Sequence, residues 1–471
     1  MKKALGVYVV IIILISAIPI LGEANNHEKM DKVVREKIET GLSNIDVIIE
    51  FYELDDLSRT LISNEKIINE FIELNSIHAI LNADEIKNMS SSQYVKNIWG
   101  NVGGLTLFDT VTFSSEDRIV VNGFMGTDTI NAPPLYQMGY KGKGVTVAVL
   151  DTGIRETHVE FPEGKILYQY DFVNNDLVAE DNDGHGTFVS GIISGHKYTT
   201  ADWAGYYDFI DTTSTNTMGV SPESNLVILK IIENNSGTLS DYLEACNWLI
   251  SNKNIYNIRV ANMSAGWTVD SMILSGWPLD GTDPVSMAAN SVVDKGIVWV
   301  NAAGNGGPSL DTIGAPARAK NVITVANAID RTVVLDTPIV ITRAPISIAN
   351  DSGRGGGYSG LKPDISAPGT QIMSSLIAHD YDYGIASGTS FAAPFVAGSA
   401  AIIIQRHPNW APYQVKIALM RTATPISGAP TYEQGAGLVN LNRAFSYRQD
   451  FERAAVMGKI MAILKKNKEN N

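Results

Sequence analysis

Gly144-Val-Thr-Val-Ala-Val-Leu-Asp151-Thr-Gly153 is the stretch on which the fold turns. It is a short, β-branched apolar run that ends in a carboxylate and is turned by a glycine, so it reads as a buried strand with Asp151 at its C-terminal end. Further runs of the same kind follow at Leu226–Ile232, Arg259–Met263, Ile297–Asn301 and Val322–Ala326. Helical patterns at Asp241–Ile250 and Pro284–Lys295 separate several of them. Strands alternating with helices predict an α/β protein, a three-layer sandwich around a mostly parallel sheet. In such sheets, chemistry gathers at the C-terminal ends of the strands.

Two other motifs complement Asp151, which alone could be a turn former. In Asn182-Asp-Gly184-His185-Gly186-Thr187 two glycines flank a histidine just before a helix, leaving the imidazole accessible. In Gly388-Thr389-Ser390-Phe-Ala-Ala-Pro394 a serine stands at a helix start, where free N–H groups favour developing negative charge, although serine is also an ordinary cap. Together they supply a nucleophile, a base and an anion to orient the base, in the chain order Asp, His, Ser. Ala303-Gly304-Asn305-Gly306 follows the Ile297–Asn301 strand and puts the Asn305 amide on the same sheet edge as an oxyanion donor.

These motifs, with Asn262-Met-Ser264-Ala-Gly266 and Lys362-Pro-Asp-Ile-Ser-Ala-Pro-Gly369, resemble the subtilisin family (subtilases), and specifically the precursors of its archaeal and thermophilic secreted members. The resemblance implies Asp151, His185 and Ser390 as the triad, Asn305 as oxyanion donor and a self-processing serine endopeptidase as the product. It also implies that an extended peptide adds as a strand between Ser236-Gly237-Thr238-Leu239 and Ser264-Ala265-Gly266. Ser264–Gly266, Gly304–Gly306 and Gly314-Ala-Pro316 would wall the pocket for the residue before the scissile bond. None of these residues is charged, so broad specificity with an apolar residue at that position is expected.

Residues 25–110 are poorer in glycine and richer in Asn, Lys, Glu and Ile. Strands are expected at Ile45–Phe51, Ile77–Leu81 and Tyr94–Trp99, with a helix at Ala83–Met89 and an amphipathic helix through Ile67, Phe71 and Leu74. That order suggests a small α+β, ferredoxin-like module. By the resemblance it is the propeptide, an intramolecular inhibitor and folding aid; read alone it could be an independent binding domain. Residues 103–135 read as a connector, so the processing site is expected between about 100 and 125.

Lys2, Lys3 and the apolar run Ala4–Gly22, with Gly22 and Ala24 at a cleavage site, read as an export signal over residues 1–24. Retention as a membrane anchor is the alternative, and the expected location is secreted or cell-surface. The catalytic domain is expected over 111–445 and a helical, Lys-rich tail over 446–471. Of the 471 residues 45% are apolar, enough for a large core, and the net charge of −14 disfavours a nucleic-acid partner. The single cysteine, Cys246, excludes disulfides and thiolate zinc sites, and fits a buried helix position. Polypeptide substrates and a monomeric state are expected, with no cofactor for catalysis. Calcium is a candidate stabiliser, with Glu160 by resemblance and Asp202, Asp208 and Asp211 from an acidic insertion as its ligands, although that insertion could equally be a solvated loop. Two alternatives stay open at this stage: an aspartic protease pairing Asp151 with Asp351 of Asp351-Ser-Gly, and an inactive binding module on the same fold.

Overall fold

The computed structural model describes residues 29–109, 123–196, 219–330, 332–335, 340–343 and 345–448. The expected export signal of residues 1–24, Asp202, Asp208 and Asp211 of the expected acidic insertion, and the residues from 449 onward lie outside these residues. Near the N-terminus, strands β1 (Ile45–Phe51), β2 (Ile67–Phe71), β3 (Ser76–Leu81) and β4 (Val95–Gly100) form an antiparallel sheet in the order β2-β3-β1-β4. Helices Lys32–Glu39 and Ala83–Ser90 cover one face. Both are capped: the Asp31 carboxylate accepts from the Val34 N–H at 2.9 Å, and Asn82 with Glu85 forms a capping box. Val34, Ile45, Val47, Ile49, Ile77, Ile86 and Ile98 fill the space between. The strand order is that of a ferredoxin-like sheet.

One expectation fails here. Ile67–Phe71 is a strand, followed by a single 3-10 turn at Ile72–Leu74, not an amphipathic helix. The run is too short for a 3.6-residue period to be told from a 2-residue one, and β-branched isoleucines favour the strand once β3 offers an edge. Ile68 and Ile72 are consequently exposed. The helix Lys32–Glu39, not expected from the sequence, precedes the first strand.

The second sheet is built on β6 (Thr146–Asp151), which is fully buried. Its partners are β7 (Ile166–Asp171), β8 (Asn225–Lys230), β9 (Ile258–Met263), β11 (Val298–Ala302) and β12 (Ile323–Ile329), β10 being the short strand Ala265–Trp267. The order is β12-β11-β9-β6-β8-β7, all parallel, extended beyond β12 by a parallel strand at Ile365–Pro368 and an antiparallel one at Ser347–Ile348. Alternate side chains serve opposite layers. Val147, Val149, Leu226, Ile228 and Val300 pack under helices His185–Ser194 and Thr389–Arg406. Ala148, Leu150, Val227, Leu229 and Trp299 pack under helices Leu239–Asn252 and Pro284–Asp294. This is the expected three-layer α/β sandwich. Cys246 is buried and free on Leu239–Asn252, and burial pushes its thiol pKa up, so it is inert packing.

β6 is flanked by β8 on one side and β9 on the other, the chain building first the β7–β8 half of the sheet and then crossing to the β9–β11–β12 half. Its C-terminal end therefore opens on a crevice of the kind that holds the chemistry of open α/β sheets. Among the described residues, no helix is long and apolar enough to cross a membrane.

Candidate active site

Asp151 is the last residue of β6 and its side chain is fully buried. Its Oδ1 accepts from the Thr152 N–H at 2.9 Å and lies 2.7 Å from Nδ1 of His185, the first residue of the next helix. The imidazole has no exposed surface. Burial works against its charged form, but the Asp151 carboxylate and hydrogen bond, with Asp109 and Asp183 nearby, more than offset this and hold its pKa above the ordinary value. Gly184 caps the helix at φ 101°, and a side chain at Gly186 would strike the Gly153 carbonyl, which explains the two flanking glycines.

Asp181 is a residue the sequence reading missed. It accepts from Thr152 Oγ1 at 2.8 Å and Gly184 N at 2.8 Å through Oδ1, and from Thr187 N at 2.8 Å through Oδ2. It ties the turn after Asp151 to the start of the His185 helix. Its signal was only an acidic residue four positions before the histidine, which nothing separates from an ordinary loop aspartate.

Ser390 is the second residue of the helix Thr389–Arg406, entered through Gly388 at φ 149°. Its Oγ donates to the Ser264 carbonyl at 2.9 Å, and the Ser264 hydroxyl donates to the Ser390 carbonyl at 2.7 Å. His185 Nε2 has no hydrogen-bond partner among the described residues. Asn305 is held by its carbonyl oxygen, which accepts from Thr389 N at 3.1 Å and Thr389 Oγ1 at 2.9 Å. Its Nδ2 is thereby aimed at the Ser390 end of the crevice. All four residues singled out from the sequence thus converge on one sheet edge.

The crevice contains a strand of the chain itself. β5 (Leu105–Leu107), inside the stretch expected to be a connector, runs antiparallel to β10, with Thr106 opposite Gly266 and Leu107 opposite Ala265. On the other side, Gly237 N donates to Leu105 O at 3.1 Å and Leu239 N to Val102 O at 2.9 Å. The Leu107 N–H is taken by Asn235 Oδ1 at 2.9 Å, a partner not foreseen. The Phe108 ring lies over Gly266 and Gly304; a Cβ on Gly266 would come within 2.8 Å of it. The Phe108 carbonyl accepts from Asn305 Nδ2 at 3.0 Å. Gly314 backs β10, packed against the Trp267 carbonyl. The half-buried Asp109 carboxylate accepts from Ser390 N at 3.2 Å and from Asn305 Nδ2. Withdrawal from water pushes its pKa up to about 6, restrained by the Ser390 hydrogen bond and the His185 charge.

Two other sequence assignments fare differently. Asp351 is exposed and makes no hydrogen bond to Asp151, whose Oδ1 holds His185, so the paired-carboxylate alternative is not formed. Glu160 is buried, accepts from the Tyr383 hydroxyl at 2.7 Å and is pushed up to about 7 by burial. Among the described residues, no three His, Cys, Asp or Glu side chains gather as a metal site, around Glu160 or elsewhere.

An acid hydrogen-bonded to an imidazole, with a serine hydroxyl and an amide donor on the same parallel sheet edge and in the chain order Asp, His, Ser, fits the subtilisin arrangement of a serine protease site. Residues 142–442 match the Subtilase family, and the chain belongs to it: it is a subtilisin-like serine protease. It is 30% identical to the thermostable alkaline protease of Halalkalibacterium halodurans, over 80% of this chain and 85% of that one. It is 32% identical to the serine protease AprX of Bacillus subtilis, over 80% of each chain. Among solved structures it is similar to fervidolysin of Fervidobacterium pennivorans, described as a keratinolytic enzyme related to subtilisin. The TM-score is 0.63 at 21% identity, over 86% of this chain and 61% of that one, a likeness of fold.

Proposed function

We propose that the chain is the precursor of an exported serine endopeptidase that processes itself by cutting the Phe108–Asp109 bond. The carrying observation is the seat of the Phe108 carbonyl on Asn305 Nδ2, with β5 paired to β10 in the crevice. In this reading residues 25–108 form the inhibitory propeptide and Leu105–Phe108 stand where the acyl side of a substrate stands.

Ser390 Oγ attacks the Phe108 carbonyl carbon while His185 Nε2 takes its proton, and Asp151 holds the imidazole by Nδ1 and stabilises its charge. The oxyanion is met by Asn305 Nδ2 and the Ser390 N–H at the helix start; one such donor contributes on the order of 3 kcal/mol in the transition state. His185 then protonates the Asp109 nitrogen as the C–N bond breaks, leaving Phe108 on Ser390 as an ester. Water hydrolyses the ester and restores the hydroxyl. The reaction of this family needs no cofactor.

Main-chain pairing along Gly237 and Gly266 supports breadth, and the uncharged floor under Phe108 supports apolar residues before the cut bond. The leader of residues 1–24 supports export, and action as a monomer is part of the proposal. So is a structural calcium near Glu160, which a chelator-sensitive unfolding temperature would reveal and an unchanged one would remove. The main test compares wild type with Ser390→Ala on one gel, with N-terminal sequencing. The wild type should yield a fragment beginning at Asp109, and Ser390→Ala should stay uncut. Maturation of purified Ser390→Ala without other proteases would overturn the assignment.

A further inference from the structure

The Asp109 side chain does something that substrate-like binding does not require. Asn305 Nδ2 has two hydrogens, one for the Phe108 carbonyl and one for Asp109 Oδ1. The Ser390 N–H has one hydrogen, and it goes to Asp109 Oδ2 at 3.2 Å. Gly388 is shaped to this arrangement, since a Cβ there would overlap the Asp109 carboxylate. Ser390 Oγ meanwhile donates to Ser264 O, away from its base.

We propose that Asp109 is a brake on the first self-cleavage: its carboxylate occupies donors that the oxyanion at Phe108 must use, and so sets the rate of processing. The inference rests on Phe108–Asp109 being the bond cut. As the tetrahedral intermediate forms, both donors must converge on the Phe108 oxygen, and a second negative charge on the same donors opposes that step. The brake acts once. When the C–N bond breaks, Asp109 leaves as the new N-terminal residue, its amine carrying the proton from His185, and the donors are free for later substrates. The same geometry disfavours any peptide with an acidic residue directly after the bond to be cut.

The test follows the first cut in the full-length precursor and in Asp109→Asn and Asp109→Ala, with fragments sized and N-terminally sequenced. Both variants should be cut at 108–109 faster, Ala more than Asn, by about tenfold or more, a part of the roughly 10²–10³-fold that one oxyanion donor supplies. Unchanged or slower cutting at the same bond overturns the brake and leaves the self-processing reading intact. A first cut at another bond, or cutting that persists with Ser390→Ala, overturns both. Two peptides offered to the mature enzyme, differing only in Asp or Asn after the same Phe, decide the matter should a variant misfold: kcat/KM should favour Asn by a similar factor, and equal values overturn the brake.

Discussion

The two sheets of the molecule are covered in different ways. The parallel sheet buries both faces under helices of its own domain, odd and even residues of β6 feeding separate layers. The N-terminal sheet buries one face under Lys32–Glu39 and Ala83–Ser90. Its other face carries Ile48, Phe71 and Trp99, which pack with Tyr242, Leu243 and Ala288 of the catalytic domain's helices. Polar ties accompany this docking: Glu73 N donates to Asn247 Oδ1 at 2.9 Å, and Asn101 Nδ2 donates to Ser240 Oγ at 3.1 Å. A crevice of about 240 Å³, lined in part by Glu50, Glu73, Lys96, Trp99, Met287 and Ser291, remains between the two. Interiors of single domains leave few such gaps. The difference teaches that the first sheet belongs to a docked body with a core of its own, and the second to an indivisible one.

The largest effect should come from the indivisible side. Trp299, fully buried on β11 and donating to Asn301 Oδ1 at 3.1 Å, fills the layer beneath Leu239–Asn252. Trp299→Ala should destabilise the catalytic domain by about 3–5 kcal/mol, read by thermal unfolding in an uncut Ser390→Ala background. Ile48 provides the contrast, being buried only when the N-terminal sheet is docked. Ile48→Ala should cost about 2–3 kcal/mol, and the loss should appear in docking. Hydrogen exchange in the same background should speed up at β1–β4 and stay unchanged at β6, β9 and β11. Equal acceleration in both sheets would mean that the two bodies unfold as one, and the contrast would fall.

Asp283 sharpens the comparison through pH. It caps Pro284–Asp294, the helix on which the N-terminal sheet rests, and accepts from Ser286 N at 2.8 Å. Burial pushes its pKa up to about 6, against the hydrogen bonds from Ser286 and the charge of Arg318. A carboxyl raised in the folded state contributes stability below its ordinary pKa and loses it as pH rises through about 6. Asp283→Asn keeps an acceptor for the cap and carries no charge. The variant should match its parent near pH 4 and unfold at a higher temperature at pH 8, by on the order of 2 kcal/mol. A constant difference across that range would refute the assignment.

The same contrast explains what could be read from the sequence. The parallel sheet was legible because strands buried on both faces are continuous apolar runs, and five of them were located. Half-polar β7 at the sheet edge escaped, its Tyr168, Gln169 and Tyr170 being only partly buried. Asp151, His185, Ser390 and Asn305 were legible because each sits in a glycine-bearing motif that the backbone itself demands. β2 was misread because a five-residue run fits two periods. β5 was invisible because Leu105-Thr-Leu107 becomes a strand only by pairing with β10, 158 or more residues away. Asp109 had no local signal at all, since its position depends on where that strand ends.

The smallest effect should come from the rim of the docked surface. Lys295 Nζ and Glu73 Oε2 are 2.8 Å apart, joining the end of the helix Pro284–Asp294 to the turn after β2. The lysine side chain is 49% exposed and the glutamate 31%, so water and salt screen the attraction. Lys295→Ala should therefore weaken docking by less than about 1 kcal/mol, and raising the salt should erase even that. Glu73 keeps its backbone tie to Asn247 in the variant, so the turn stays in place. Exchange rates at β2 and β3 in the uncut chain, compared at low and high ionic strength, measure this directly. An effect as large as that of Ile48→Ala, persisting in salt, would show that the N-terminal body is held at its charged rim and not by its apolar face.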